Sequence, residues 1–579
     1  MNCSNKFKLT AIAMMVGTTM NAQAALYQVV EVSPQDHGSN GDYQTAYGVA
    51  IQQGDAGTDP STGSPFALGC FDAAANCTPD QFKLAMETRT TPISATQAVD
   101  GNSYREEIPF GLDAGFYYIQ ELKDFERYCY NQLRYSTCDS WASVNWTPWN
   151  KERSKDFTSN ALAFVEGDSA AYKNEYNNVI NQLTEDGAAV GNQSKVSSEN
   201  QSTLETRNTV VAPIEPNFVT GDNDASVVQS HAWKTDGTFT VGSVSRTASN
   251  TNGAHHTSKA AIWDQSGTVS ELAWPSGTSK DGERLAQGSM RDLVVDADTN
   301  VIYGVGYNTW RDDNYMNATV FVGSLKADTD AKSVKNYDWK NVLVDGAQQR
   351  IDGDTVHSNS RLTGVNSNFV AIGEAKRSVA TAGAYPNRLF IVDNVRKDSI
   401  NAFYPTTGIF FSGAGGKMGG INSYNEIVGQ LDAETTREDD GKPRRKRGFI
   451  YPYSLGGETS ERASTLFNGK AWFLDSLTNG GDYSEQNNQF RIIDATDIND
   501  AGVISGTAMK CAGGYSTTAN NATCSSDEQI VAVKLVPIAG ATEKDIVSRS
   551  VDSTTTERQG AGLGWLALTM LGLFGFRRK

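Results

Sequence analysis

Short aliphatic runs, broken by glycine and bounded by Asn, Asp, Ser or Gly, recur along most of this chain. Apolar runs of this length with turn signals between them predict strands, not helices. Three segments share one frame: Gly364-Val365-Asn366 to Gly373, Gly420-Ile421-Asn422 to Gly429, and Asp497-Ile498-Asn499 to Gly506. In each, an aliphatic-Asn pair is followed by a Gly with aliphatics just ahead of it (Ala371-Ile372, Ile427-Val428, Val503-Ile504). Looser copies run from Ile180-Asn181 to Val190-Gly191 and from Leu293-Val294-Val295 to Gly304, the second with Asp296 where Asn is expected.

This frame predicts a turn leading into a strand. Asn side chains bond the backbone two residues on and tolerate left-handed geometry; the aliphatics then enter a buried strand, and Gly ends it or makes a bulge. A strand marked by an aromatic often follows: Ala260-Ala261-Ile262-Trp263, Val320-Phe321-Val322, Leu389-Phe390-Ile391 and Gly448-Phe449-Ile450-Tyr451, with His231-Ala232-Trp233 a further candidate. The Asn-to-Gly frame with a His-Ala-aromatic segment resembles the extracellular HAF-type repeats, which implies propeller-like blades. In length, ends and motif order the chain also resembles a secreted gammaproteobacterial family of unknown function. The Asn positions are spaced wider than the ~40–50 residues of a tight blade, so several units carry inserted loops. The expected fold is all-β, a β-propeller of six or seven blades; a pair of two-sheet sandwiches is the rival.

One region departs from the rhythm, and an insert is expected at about 65–185 within a propeller domain spanning 25–540. Thr78-Pro79-Asp80-Gln81 has the form of a capping box with Pro at the first helical position, which predicts a short helix. Tyr172, Tyr176, Val179 and Leu183 fit one face of a helix, in conflict with a turn at Asn181. Trp141, Trp146 and Trp149, spaced by small and polar residues, are a candidate ligand surface for sugars or peptides, or the filling of a joint between insert and propeller.

The ends carry an address. Residues 1–24 have a basic start (Lys6, Lys8), an apolar stretch and Ala22-Gln23-Ala24, so a signal peptide cut between Ala24 and Ala25 is expected. After a polar linker at 541–559 come a small-residue patch (Gly560, Gly562, Gly564), a short apolar run from Trp565 to Phe576, and Arg577-Arg578-Lys579. Twelve apolar residues at ~1.5 Å rise cover about 18 Å, short of a ~30 Å hydrocarbon core. The tail at 560–579 resembles the GlyGly-CTERM sorting tails of Gram-negative bacteria, departing from them in Gly560-Ala561-Gly562. That resemblance implies the Sec machinery and a rhomboid-type protease as partners, a transient inner-membrane anchor, and release to the cell surface or medium; a plain C-terminal membrane helix is the rival. In an oxidising compartment the six remaining cysteines are expected as local pairs, Cys70–Cys77, Cys129–Cys138 and Cys511–Cys524.

Acidic residues outnumber basic ones, 67 to 50, for a formal net charge of −17, which argues against nucleic acid as a partner. Recognisable chemistry is sparse. The five His are His37, His231, His255, His256 and His357, and no zinc-protease helix motif, nucleophile elbow or phosphate-binding loop is present. Gly167-Asp168-Ser169 fits a helix N-cap better than a catalytic serine, and His255-His256 reads as loop decoration. Asp296-Ala297-Asp298-Thr299-Asn300 opens like a calcium loop but has Tyr307 where the last ligand belongs, so calcium is a weak expectation and no other cofactor is called. Gly221-Asp222-Asn223-Asp224 is equally ambiguous. The charged stretch from Arg437 to Arg447 reads as a solvated hairpin loop. Two functions stay open: an exported, non-catalytic binding or structural propeller, and a secreted hydrolase with its site at the propeller centre.

Overall fold

The computed structural model describes residues 25–34, 43, 45–89, 121–128, 162–167, 179–196, 204–218, 227–250, 253–278, 286–311, 315–347, 360–377, 387–435, 444–551 and isolated positions between 130 and 146. Among these residues the strands form seven sheets. Blade 1 contains Thr45–Ile51, Leu84–Arg89 and Leu162–Val165; blade 2, Val179–Leu183, Ala189–Val196 and Leu204–Val211. Blade 3 contains Val227–Thr235, Phe239–Asn250, Gly253–Asp264 and Val269–Glu271. Blade 4 contains Gly288–Val295, Ile302–Trp310, Tyr315–Leu325 and Tyr337–Asp345; blade 5, Ser360–Val365, Ala371–Lys376 and Asn387–Val392. Blade 6 contains Gly416–Ile421, Glu426–Asp432, Lys446–Pro452 and Trp472–Phe473. Blade 7 contains Phe490–Ile498, Ile504–Cys511 and Glu528–Pro537, and the N-terminal strand Tyr27–Glu31 adds to its outer edge, antiparallel to Glu528–Pro537. The first strand of each blade contacts the first strand of the next, and the ring closes from blade 7 to blade 1. The fold is an all-β, seven-bladed propeller.

The hydrophobic core lies between blades. Val428 and Ile450 of blade 6 meet Ile492, Ile504 and Val533 of blade 7; Val305 and Val320 of blade 4 meet Leu362, Ala371 and Phe390 of blade 5. Each sheet is thus covered on both faces, so its strands read as apolar runs without clean alternation.

The Asn frame is the turn between the first and second strands. Asn366, Asn422 and Asn499 each accept from the backbone N–H four residues on, of Val370, Glu426 and Val503. Each also reaches the next blade: Nδ2 of Asn366 donates to the Asn422 carbonyl (2.8 Å), that of Asn422 to Asn499 (3.1 Å), and that of Asn499 to Gln52 (3.0 Å). The same turn is capped by Thr184 in blade 2, Asp236 in blade 3 and Asp296 in blade 4. Asn181 is therefore not a turn residue. It lies inside a strand, as do Val179 and Leu183, against the helical reading of that segment; Tyr172 and Tyr176 lie outside the described residues.

The frame's glycine neither ends a strand nor bulges. Gly373, Gly429 and Gly506 sit inside the second strand, and the aromatic stands opposite in the third: Gly373 faces Phe390, Gly429 faces Phe449, and Gly304 faces Phe321. His231-Ala232-Trp233 is an exception, since it belongs to the innermost strand of blade 3. The stretch assigned to an insert at 65–185 contains three blade strands, Leu84–Arg89, Leu162–Val165 and Val179–Leu183. Thr78 to Gln81 makes a single turn, not a helix.

Cys70–Cys77 and Cys511–Cys524 are bridged, and Cys138 is also disulfide-bonded; Cys129 lies outside the described residues. In the segment read as a polar linker, Arg549 is buried and donates to the carbonyls of Asp475 and Thr518. Arg444 and Arg447, read as part of a solvated loop, are buried against Asp432 (3.2 Å) and Asp475 (3.0 Å) on neighbouring elements. Among the described residues no helix is long and apolar enough to cross a membrane.

Candidate functional site

The innermost strand of every blade is bulged. Its pairing with the second strand slips between Gly48 and Ala50, Ile180 and Gln182, Ala232 and Lys234, Met290 and Asp292, Leu362 and Gly364, Met418 and Ile421, and Ala495 and Asp497. A bulge leaves one residue out of the ladder and re-aims its side chain. The residues released in this way are Val49, Asn181, Trp233, Arg291, Thr363, Gly419 with Gly420, and Thr496, and every blade contributes one of them to the lining of one cavity of about 130 Å³ on the propeller axis.

The second-strand glycines make room for these bulges. A Cβ on Gly242, Gly306, Gly373, Gly429 or Gly506 would lie 1.8, 2.0, 2.5, 2.3 or 2.7 Å from the carbonyl oxygen of His231, Ser289, Arg361, Lys417 or Asp494 respectively. Each carbonyl stands two residues ahead of its bulge. None of these glycines has a left-handed φ, so the requirement is space and not backbone freedom. In blade 4 the working glycine is Gly306, not the Gly304 read from the sequence.

Lys234, Arg361, Lys417, Glu374, Asp494 and Asp497 share the wall with the bulge residues. The Arg291 guanidinium lies 3.6 Å from the centre of the Trp233 ring and 5.7 Å from that of Tyr307. Arg361 pairs with Glu374 at 3.2 Å, and Lys234 stands 3.9 Å from Asp497. The carboxylates are tied down. Glu374 accepts from Met418 N–H with one oxygen and from Asn387 and Arg361 with the other. Asp497 accepts from its own strand at Ile498 and from blade 1 at Ile51 and Gln53. Asp292, behind the wall, bonds Leu293 and crosses to Val365 of blade 5. Burial pushes the Asp292 carboxyl up to about 6, with Lys234 opposing, and burial likewise raises Asp497. These two acids are staples between blades, each using the residue just after a bulge; Gln182 makes the equivalent link to Thr235.

Of the residues singled out in the sequence, Trp233 reaches the cavity and His231 is buried in the same strand, their rings 6.3 Å apart. Trp146 packs edge-on against buried Phe125 at 6.3 Å and is not one of the residues lining the cavity; Trp141 and Trp149 lie outside the described residues. His255 and His256 are strand residues paired with Ala248 and Thr247, not loop decoration. Asp296 bonds the backbone of Asp298 and Thr299 and meets Arg396 at 3.6 Å. Ala25 is buried just ahead of the closing strand. Ala24, His37, Asp168, Ser169, Asp222, His357 and the tail at 560–579 lie outside the described residues.

The sequence reading missed Arg291, Arg361 and Lys417. Its one available signal was a charged residue inside an otherwise apolar strand, as in Gly288-Ser-Met-Arg-Asp-Leu-Val-Val295.

Fold and site together define a seven-bladed propeller with a polar pocket on its axis. The chain belongs to the DUF3466 family, described as a protein of unknown function, whose signature spans residues 229–579. No curated protein matches it. Several solved structures are distantly similar. One titled glycoside hydrolase has 10% identity, covers 59% of this chain and 96% of that one, and gives a TM-score of 0.25. The native arabinanase of Bacillus subtilis has 11% identity, covers 60% and 89%, and gives 0.21. The intramolecular trans-sialidase of Ruminococcus gnavus has 10% identity, covers 88% and 82%, and gives 0.24. At these TM-scores none of them bears on the role of any residue here.

Proposed function

We propose that this chain is an exported, non-catalytic binding propeller that takes a small ligand in its axial pocket. The observation that carries the reading is the ring of seven bulges. Every blade departs from regular pairing at the same place, and each departure brings a residue to the wall of one cavity. Regular pairing would hold a propeller together as well, so the bulges serve the pocket.

A hydrolase is the second reading, and one observation favours it: Asp292 and Asp497, both with raised pKa, flank Lys234. Paired carboxyls whose pKa is shifted by their surroundings are what acid–base hydrolysis uses. Against it, both oxygens of each acid already accept backbone N–H groups, and Asp292 stands behind the wall. A channel-blocking variant, Thr363→Trp, separates the readings from a surface site. Ligand binding by purified protein that Thr363→Trp abolishes, without turnover, supports the binding propeller. Turnover lost in both Asp292→Asn and Asp497→Asn overturns it in favour of the hydrolase.

The proposal includes the route out of the cell: removal of residues 1–24, transient anchoring by the tail, and cleavage near Gly560–Gly564 by a rhomboid-type protease. Intramembrane cleavage requires local unwinding, which a glycine-rich patch beside a short apolar run favours. Mass spectrometry of both ends of the mature protein is the test. Arg577-Arg578-Lys579 intact on most molecules restores the plain-anchor reading.

A further inference from the structure

We infer that the Cys511–Cys524 loop is an oxidation-dependent latch for the C-terminal segment, holding residues 547–550 against the domain when the disulfide is closed and releasing them when it is reduced. This goes beyond the reading of the axial pocket and does not depend on it.

The loop carries a row of acceptors. Between the second and third strands of blade 7, the carbonyls of Thr517, Thr518, Ala519 and Asn520 accept in turn from Arg491 (3.0 Å), Arg549 (2.8 Å), Arg491 again (3.0 Å) and Arg447 (2.7 Å). The three arginines come from different elements: Arg447 from blade 6, Arg491 from the first strand of blade 7, and Arg549 from the segment after its last strand. All three are buried, and buried Asp475 meets Arg447 at 3.0 Å. Burial pushes the Arg491 guanidinium down to about 10, with Asp475 opposing and Arg549 and Arg447 adding to the push. A buried guanidinium is costly unless its N–H groups are accepted, so the four carbonyls are part of what lets these arginines stay inside.

The same loop docks the C-terminal segment. Asn520 N–H donates to the Ser550 carbonyl at 2.9 Å. From the other side, the Ser476 hydroxyl accepts from Arg549 N–H (3.3 Å), the Asp475 carbonyl accepts from Arg549 Nε (2.6 Å), and Asn479 Nδ2 donates to the Val547 carbonyl (3.0 Å). Residues 547–550 thus lie between the short helix Leu474–Leu477 with the turn after it and the disulfide loop.

The disulfide sets the loop. Cys511 ends the second strand of blade 7, and Cys524 lies thirteen residues on, just before the third strand. A cross-link confines the loop between them and favours the one conformation in which the four carbonyls align. Cys511 is buried and Cys524 half-buried, so the Cys524 sulfur is the one a thiol reaches. A dithiothreitol thiolate attacks Cys524 Sγ, the S–S bond breaks, and Cys511 leaves as a thiolate. The second thiol of dithiothreitol then frees Cys524 as its own ring disulfide closes. The protein gains two electrons and two protons, and dithiothreitol loses them; oxidised glutathione runs the exchange in reverse.

Trypsin reads the latch, because the buried Arg549 becomes a cleavage site once released. The test is limited digestion of the mature full-length protein, with cleavage after Arg549 followed by mass spectrometry. Dithiothreitol should raise that cleavage at least tenfold while blades 3 and 4 stay uncut, and reclosure with oxidised glutathione should restore protection. Cys511→Ser combined with Cys524→Ser should release Arg549 without reductant, whereas Cys70→Ser combined with Cys77→Ser should leave it protected. Arg549 equally protected in reduced and oxidised wild type overturns the latch. Cleavage that spreads through blades 3 and 4 as fast as it appears after Arg549 overturns it as well, because the disulfide then staples the whole fold. Release as fast in the Cys70 and Cys77 variant also contradicts a latch in this loop.

Discussion

Replacing Gly306 with Ala probes the link between sequence and pocket. The new Cβ would stand 2.0 Å from the Ser289 carbonyl oxygen and 3.1 Å from Met290 Cα, both backbone, so no side-chain rotation relieves it. Either the second strand of blade 4 backs away or the bulge between Met290 and Asp292 flattens. Overpacking of this kind costs about 1–3 kcal/mol, and the intrinsic gain of Ala over Gly in a strand recovers only ~0.5–1 kcal/mol of it. Flattening has a second consequence. Sliding the inner strand by one residue turns its side chains to the opposite face, which takes Arg291 off the axis. Gly364→Ala is the internal control: it lies in the inner strand of blade 5 beside a bulge, its φ is likewise not left-handed, and its Cβ would meet nothing closer than 3.4 Å. In urea unfolding, Gly306→Ala should lower stability by roughly 1–2 kcal/mol. Gly364→Ala should fall between neutral and about 1 kcal/mol more stable. Equal stability of the two variants would refute the claim that the second-strand glycines exist to admit the bulges.

Asn422→Asp should destabilise more than Asn422→Ala, because Asn422 Nδ2 donates to Glu426 Oε2 at 2.6 Å and a carboxylate there faces another carboxylate. Loss of the buried donor alone is worth about 1–3 kcal/mol, and urea midpoints of the two variants check the order. Asp292 gives a pH signature. Its folded pKa of about 6 lies above the ordinary 3.8, so the folded state holds the proton more tightly. That contribution is complete below about 3.8 and is lost as pH rises through about 6, by up to about 3 kcal/mol. Asp292→Asn lacks it, so wild type should lose stability relative to the variant between pH 4 and 7; a gap that does not change with pH counts against a buried, proton-retaining Asp292. Non-reducing peptide maps should recover Cys70–Cys77 and Cys511–Cys524 as local bridges, and a cross-bridge between the two groups contradicts the fold.

What was legible in the sequence is what acts locally. The turn chemistry of Asn366, Asn422 and Asn499 is confined to five residues, so it shows as a motif, and the motif located three of the seven blades. Blades 2, 3 and 4 were harder to count because Thr184, Asp236 and Asp296 cap the same turn with other side chains. The pocket was not legible, since a bulge is defined by cross-strand register, which linear spacing does not display. Trp233 was noticed as an aromatic strand marker, yet it serves the innermost strand, where a bulge turns it to the axis. The charged run ending at Arg447 was misplaced for a related reason: its partners Asp432 and Asp475 come from other elements, so the pairing that allows burial has no sequence signal.

The most direct measurement is a crystal structure of the mature protein. The account predicts Val49, Asn181, Trp233, Arg291, Thr363, Gly419 and Thr496 arranged around one open cavity on the axis of seven blades. An axis filled by protein side chains, or inner strands paired without bulges, would contradict it.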